Sequence, residues 1–314
     1  MSKVYNMGPS PHIRTAETVD KVMYDVIIAL VPALLMAVYV FKTRALVVTA
    51  VSVIFCMLTE LVFDKIRKVE CTLHDGSAIV TGILFAFVIP VGMGLQYVAI
   101  GAIVSIALGK MLFGGLGQNV FNPALVGRAF VQASWPVAIT TFTLDGMAGA
   151  TMLDAMKRSL PMSDVLIGDN PYMAALIGKM GGCLGETSAI ALLIGGAYLI
   201  YKKQIDWKMP LIIIATVAVL TGIAGRDPLM HVLSGGLMLG AFFMATDMVT
   251  SPVTPKGKII YAFGIGALIA LIRLKGGYPE GTAFSILIMN GVTPLINGYT
   301  MPKKFGEVKA DGKK

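Results

Sequence analysis

Residues 22–41 read VMYDVIIALVPALLMAVYVF. One carboxylate, Asp25, and one proline, Pro32, interrupt a run that is otherwise apolar. A helix rises about 1.5 Å per residue, so roughly 20 such residues match the ~30 Å hydrocarbon core of a bilayer. Proline is tolerated in that setting because neighbouring helices satisfy the freed backbone groups. The stretch predicts a membrane-spanning helix.

Nine further runs of this kind follow, giving ten predicted spans. In the first half they cover 45–63, 76–93, 95–113 and 120–139. After a long polar stretch they cover 187–201, 209–224, 228–246, 258–274 and 282–298. The fold class expected is an all-α integral membrane protein. Its expected divisions are an N-terminal segment (1–21), a first five-helix unit (22–139), a polar loop (140–186), a second five-helix unit (187–299) and a tail (300–314).

Composition agrees. The 314 residues are 56% hydrophobic and 14% charged, with a mean hydropathy of +0.77. Soluble domains carry about 25% charged residues, so this chain has too few to cover a surface facing water. That excludes a soluble enzyme, a disordered chain and a nucleic-acid binder. The net charge of +8 reads instead as cytoplasmic loops facing anionic lipid. With the N-terminus inside, 17 of the 26 Lys and Arg fall on the cytoplasmic side. Ten spans then return the C-terminus to the cytoplasm and place 140–186 outside. Lys42 and Arg44 fall on the outer side, where they are expected to snorkel at the rim. Cys56, Cys71 and Cys183 form no CxxC pair, and His12, His74 and His231 lack ligand spacing, so no protein-built metal site is expected.

The two halves resemble each other. His74-Asp75-Gly76-Ser77 leads into Gly82-Ile83-Leu84-Phe85-Ala86-Phe87, and His231-Val232-Leu233-Ser234 leads into Gly240-Ala241-Phe242-Phe243-Met244-Ala245. Gly114-Gly115 precedes Phe121-Asn122-Pro123, as Gly276-Gly277 precedes Phe284-Ser285-Ile286. Five spans is an odd number, so the second half enters from the opposite side. The result is an inverted-topology repeat with broken or re-entrant segments. Such breaks hold a polar or anionic ligand or simply permit tight packing, and both readings stand.

Charged groups within a bilayer cost about 2.5–3.5 kcal/mol and need a reason. Asp25, Glu60, Asp75 and Asp247 fall near predicted inner ends, as interfacial groups or as a cation or proton relay. Arg128 lies deeper, in the fifth span, and requires a partner or a polar cavity. His74 and His231 start matching spans and read as hydrogen-bonded caps. No catalytic residue is assigned. In the outer loop, Thr151 opens a short helical run in which Asp154 and Arg158 stand four apart, so its first reading is an N-cap.

Residues 22–299 resemble the D subunit of the Rnf electron-transport complex, whose kin include the B subunit of the sodium-pumping NADH:quinone reductase. The resemblance rests on Asn122 through Phe130, on Asp145 through Thr151, and on Ala245 through Pro252. It implies that Thr151 is joined to FMN through a phosphoester bond made by a separate flavin transferase. Asp145, Gly149 and Ala150 match the rest of that motif, and Ala148 stands where the family has a hydroxyl residue. Arg128 then gains a second candidate partner, a flavin phosphate or ring oxygen. The family also implies a second, non-covalent flavin such as riboflavin, other Rnf subunits as partners, and Na⁺ or H⁺ as the coupling ion. The implied function is electron relay between ferredoxin and NAD in the inner (plasma) membrane, with both termini cytoplasmic and the Thr151 loop outside. The competing reading is a transporter or channel for a small polar solute, which the same repeat suits.

Overall fold

The computed structural model describes residues 18–144, 147–149, 151–158, 171–178, 181–186, 188–278 and 280–302, with 143–144 and 147–149 as backbone only. Those residues are overwhelmingly helical. Their one stretch of sheet is a short antiparallel ribbon, β1 (Phe142–Leu144) with β2 (Met147–Gly149), in register Phe142 to Gly149. Among the described residues four helical stretches are long and apolar enough to cross a membrane: Val19–Phe41, Thr43–Arg67, Leu95–Phe113 and Pro255–Lys275. The protein is a multi-pass membrane protein.

Helix α1 (Val19–Phe41) starts at Thr18, whose Oγ accepts the Lys21 amide at 3.3 Å. Lys42 alone, at φ 56°, turns the chain into α2 (Thr43–Arg67). The buried positions of α1 are Asp25, Ala29, Leu30, Ala33 and Ala37, whereas Ile28, Val31, Leu35 and Tyr39 are exposed. Small residues face the protein and large apolar ones face outward. This reverses the soluble pattern and suits a lipid-facing helix, because backbones approach closely only over small side chains.

The third predicted span is interrupted. Helix α3 (Ser77–Phe87) stops at Phe87, and an irregular stretch leads to α4 (Leu95–Gly109). Buried carbonyls freed there need donors. The Leu184 amide reaches Ile89 O at 3.3 Å, and Cys183 Sγ reaches Val88 O at 3.4 Å. Arg44 donates to Val91 O at 3.3 Å and Met93 O at 2.9 Å. Arg44 is thus more than a rim anchor, since it closes the break in a neighbouring span.

The fifth predicted span is also divided, into α5 (Pro123–Ser134) and α6 (Pro136–Thr140). Asn122 caps α5 by accepting the Ala124 and Leu125 amides at 3.1 and 3.4 Å. The polar loop carries α7 (Met152–Arg158) and α8 (Pro171–Ile177). Then follow α9 (Ala189–Tyr201), α10 (Lys208–Ile223), α11 (Pro228–Leu233), a half-helix of α12 (Leu237–Leu239) plus a π turn (Gly240–Met244), α13 (Pro255–Lys275) and α14 (Thr282–Thr300). The span predicted over 228–246 is therefore split at Ser234–Gly236.

Helices α1 and α9 pack directly, and Gly195 sets their separation. A Cβ there would collide with the Ala29 carbonyl oxygen and meet Phe243 Cζ at 2.9 Å. The obstacle is backbone, so relief requires one helix to move. Gly195→Val should cost about 1–3 kcal/mol, the usual scale of overpacking. Lower thermal stability of the purified protein, with Ala at the exposed Ile194 left neutral, is the expected result.

Candidate functional site

Thr151 sits at the head of α7 and is 4% exposed. Its hydroxyl accepts the Asp154 amide at 3.2 Å, so it is an N-cap. Asp154 and Arg158 make the expected i,i+4 pair at 2.8 Å. Helix α7 is pinned to the second half. Met152 packs with Ala175 and Met230, and Lys157 donates to the carbonyls of Gly276 and Tyr278. A small cavity of about 40 Å³ beside it is lined by Lys157, Arg226, His231 and Arg273 together with Leu153 and Met156. Of the motif residues, Gly149 is seen pairing with Phe142 in the ribbon, whereas Asp145 and Ala150 lie outside the described residues.

Asp227 shows how the loop is held. It caps α11 through the Leu229 and Met230 amides and accepts the Tyr172 hydroxyl from α8 at 2.5 Å. The Tyr172 hydrogen bond and the cap hold its carboxyl below the ordinary aspartate range.

Arg128 finds a carboxylate. Its guanidinium donates to Glu280 Oε2 at 2.9 Å, with both side chains 11% exposed. The pair joins α5 to the start of α14. Among the described residues no hydrogen bond links Arg128 to Thr151. Glu186 and Arg273 are buried nearby, and their charges act on the same cluster. The sequence patterns single out neither Glu186 nor Glu280. A signal for Glu280 exists, a carboxylate directly after the Gly276-Gly277-Tyr278-Pro279 break. Glu186 lies in a segment that reads as external loop, although the turn Leu184–Glu186 packs against the break after α3.

Of the four acidic residues expected near span ends, Asp25 and Glu60 are buried, Asp75 and Asp247 are half-buried, and all four are hydrogen-bonded. Lys110 Nζ lies 2.7 Å from Glu60 Oε1, with exposures of 2% and 0%, and also donates to Ser77 Oγ at 2.5 Å. Thr72 Oγ reaches Glu60 at 2.6 Å and Asp64 at 3.0 Å. Asp75 accepts the Ser77 amide and hydroxyl at 2.7 and 2.6 Å, capping α3. Asp25 accepts Tyr198 OH at 2.9 Å, with Lys202 at 3.7 Å. Asp247 accepts the Val249 amide and the Thr250 hydroxyl. His74 lies in the turn before α3, whereas His231 is buried with Nδ1 unpartnered among the described residues. Beside this network lies a cavity of about 110 Å³, lined by Ser77, Lys110, Asn119, Asn122 and Asp247 with Leu84, Phe242 and Phe243.

Breaking a buried ion pair on one side strands the other charge at a cost of about 3–5 kcal/mol. Lys110→Met should destabilise the protein by that order, and Glu60→Gln in the same chain should recover most of the loss. A double-mutant cycle on thermal unfolding reads the coupling.

A model of the NQR2, RnfD, RnfE family matches residues 6–306. The chain is 46% identical over 319 residues to the D subunit of the proton-translocating ferredoxin:NAD(+) oxidoreductase complex of Clostridium ljungdahlii, covering 96% of each chain. It is 46% identical over 309 residues to the D subunit of the Na(+)-translocating ferredoxin:NAD(+) oxidoreductase complex of Acetobacterium woodii, again covering 96% of each. To the D subunit of the ion-translocating oxidoreductase complex of Stutzerimonas stutzeri it is 35% identical, covering 92% of each. With the family model spanning nearly the whole chain and these relatives aligned end to end, the chain belongs to the NQR2, RnfD, RnfE family.

Proposed function

We propose that this chain is the membrane D subunit of an Rnf-type complex that relays electrons between ferredoxin and NAD and couples the relay to ion translocation. The observation that carries the reading is its end-to-end identity of 46% with two subunits of that name. The ion is H⁺ or Na⁺. Two equally similar relatives are named for different ions, so similarity does not choose between them. The chain acts with other Rnf subunits.

The ten-span, inverted five-helix repeat is part of this reading. Helices α1 to α5 correspond in order to α9, α10, the α11–α12 segment, α13 and α14. Helix α1 packs on α9 and α5 on α14, as an internal two-fold axis requires. Gly76 at φ 73° stands just ahead of α3, and Gly235 at φ 72° just ahead of α12. Such left-handed turns favour glycine. The charge bias supports the inner (plasma) membrane topology with both termini cytoplasmic and Thr151 outside.

Thr151 is the proposed FMN acceptor, through a phosphoester bond made by a separate flavin transferase. Its hydroxyl already serves the Asp154 amide, and a phosphoester oxygen can keep accepting that bond. The buried position means that the segment ahead of α7 must open for the transferase. Lys157, Arg226 and Arg273 supply a basic cavity beside α7 that suits an anionic group. FMN would supply the redox chemistry, whereas this chain supplies position and electrostatics. The proposed place for a second, non-covalent flavin such as riboflavin is the cavity beside Lys110 and Ser77, where Asn119 Oδ1 is a buried acceptor with no donor among the described residues. A ring N–H is the partner it lacks.

In-gel flavin fluorescence of the denatured protein, co-expressed with its transferase, tests the reading. Wild type should glow, Thr151→Ser should keep the label, and Thr151→Ala should be dark. A dark wild type, or solute flux into liposomes without electron donors, would favour the transporter reading instead.

A further inference from the structure

Glu186, at the end of the polar loop, and Glu280, just ahead of α14, bring their carboxyl groups to the same pair of adjacent glycines, Gly235 and Gly236. Each has one oxygen engaged. Glu186 Oε2 accepts the Cys183 amide at 3.2 Å, and Glu280 Oε2 accepts Arg128 at 2.9 Å. Each has its other oxygen, Oε1, buried without a donor among the described residues. The two orphaned atoms face one place, the break between α11 and α12. A Cβ on Gly235 would lie 3.2 Å from Glu280 Oε1, and one on Gly236 would lie 3.6 Å from Glu186 Oε1. Both positions are glycine, so the space before the two oxygens stays open.

Ionised carboxylates only accept hydrogen bonds. Two of them facing each other away from water repel and leave both acceptors unsatisfied. A single proton resolves both problems, because one carboxyl becomes a donor and the other its acceptor. Arg128 balances the remaining negative charge. Arg273 gives NH1 to the His231 carbonyl at 2.5 Å and NH2 to the Ser234 carbonyl at 3.3 Å, so it is not spent on either carboxyl. Its positive charge, added to that of Arg128, disfavours a metal ion between the acids.

We propose that Glu186 and Glu280 form a carboxyl pair that holds one exchangeable proton at the Gly235–Gly236 break. Uptake adds H⁺ from water to one carboxylate oxygen and forms an O–H···O bond to the other. Release reverses this, and no electron moves. Leu153 of α7 lies against Gly235, which places the pair beneath the helix that Thr151 opens. The site stands whether or not Thr151 carries FMN.

Infrared spectroscopy of the assembled, purified complex in H₂O and D₂O tests the proposal. Wild type should show a protonated-carboxyl band that shifts on deuteration. Glu186→Gln and Glu280→Gln should each abolish the same band, and the double variant should lose no more than either single one. Loss of two bands in the double variant, or retention in both singles, overturns the proposal. If the Gln variants do not assemble, Glu186→Asp and Glu280→Asp keep a carboxyl at shorter reach and must shift the band; an unmoved band overturns it. Wild type alone supplies the last arm. Adding saturating Na⁺ should leave the band intact, and its disappearance would assign the site to a metal ion instead.

Discussion

A bilayer offers no water to a backbone carbonyl, and the rest of this structure follows from how that constraint is met at two broken spans. The stretch after α3 leaves carbonyls at Val88, Ile89, Val91 and Met93 without helical partners. They are served by Cys183, Leu184 and Arg44. Irregular backbone at this depth survives only where protein surrounds it. The segment around Cys183 is therefore part of the helical core, and Glu186 is buried with it.

The same constraint explains where the small residues lie. Ala29, Ala33 and Ala37 on α1, and Gly195 and Gly196 on α9, allow backbones and aromatic rings to touch. Phe242 and Phe243 of the π turn then fill the space those glycines leave. The buried polar side chains fall into two groups. One is built on Glu60, Lys110 and Asp25, and the other on Arg128, Glu186, Glu280 and Arg273.

Much of this is legible in the sequence. Apolar run length marks the helices. The His-x-x-Ser pattern falls at the head of α3 and at the break between α11 and α12, two places where the chain needs a turn, a cap and glycine. Arg128 is legible as a group in need of a partner, since a guanidinium within a span is costly. Its partner is not. Glu280 is 152 positions away, and no local pattern encodes such a contact. Nor can run length reveal that the spans over 76–93 and 228–246 are interrupted, because both halves of a broken helix stay apolar. Thr151 illustrates the other limit. Its N-cap geometry is what any threonine at a helix start adopts, and only the surrounding motif distinguishes it.

The Arg128–Glu280 pair also has a history in time. The two residues are 152 positions apart in the chain, and at the usual pace of translation, about 5–20 residues per second, roughly 8–30 s pass between their synthesis. For that interval Arg128 has entered the membrane with α5 while its carboxylate is still unmade. Helices α2 to α5 pack on one another without α14, so Arg128 must find water, lipid headgroups or Glu186 until Glu280 arrives. A nascent chain that stalls before Glu280 lacks the carboxylate that Arg128 bonds in the finished fold.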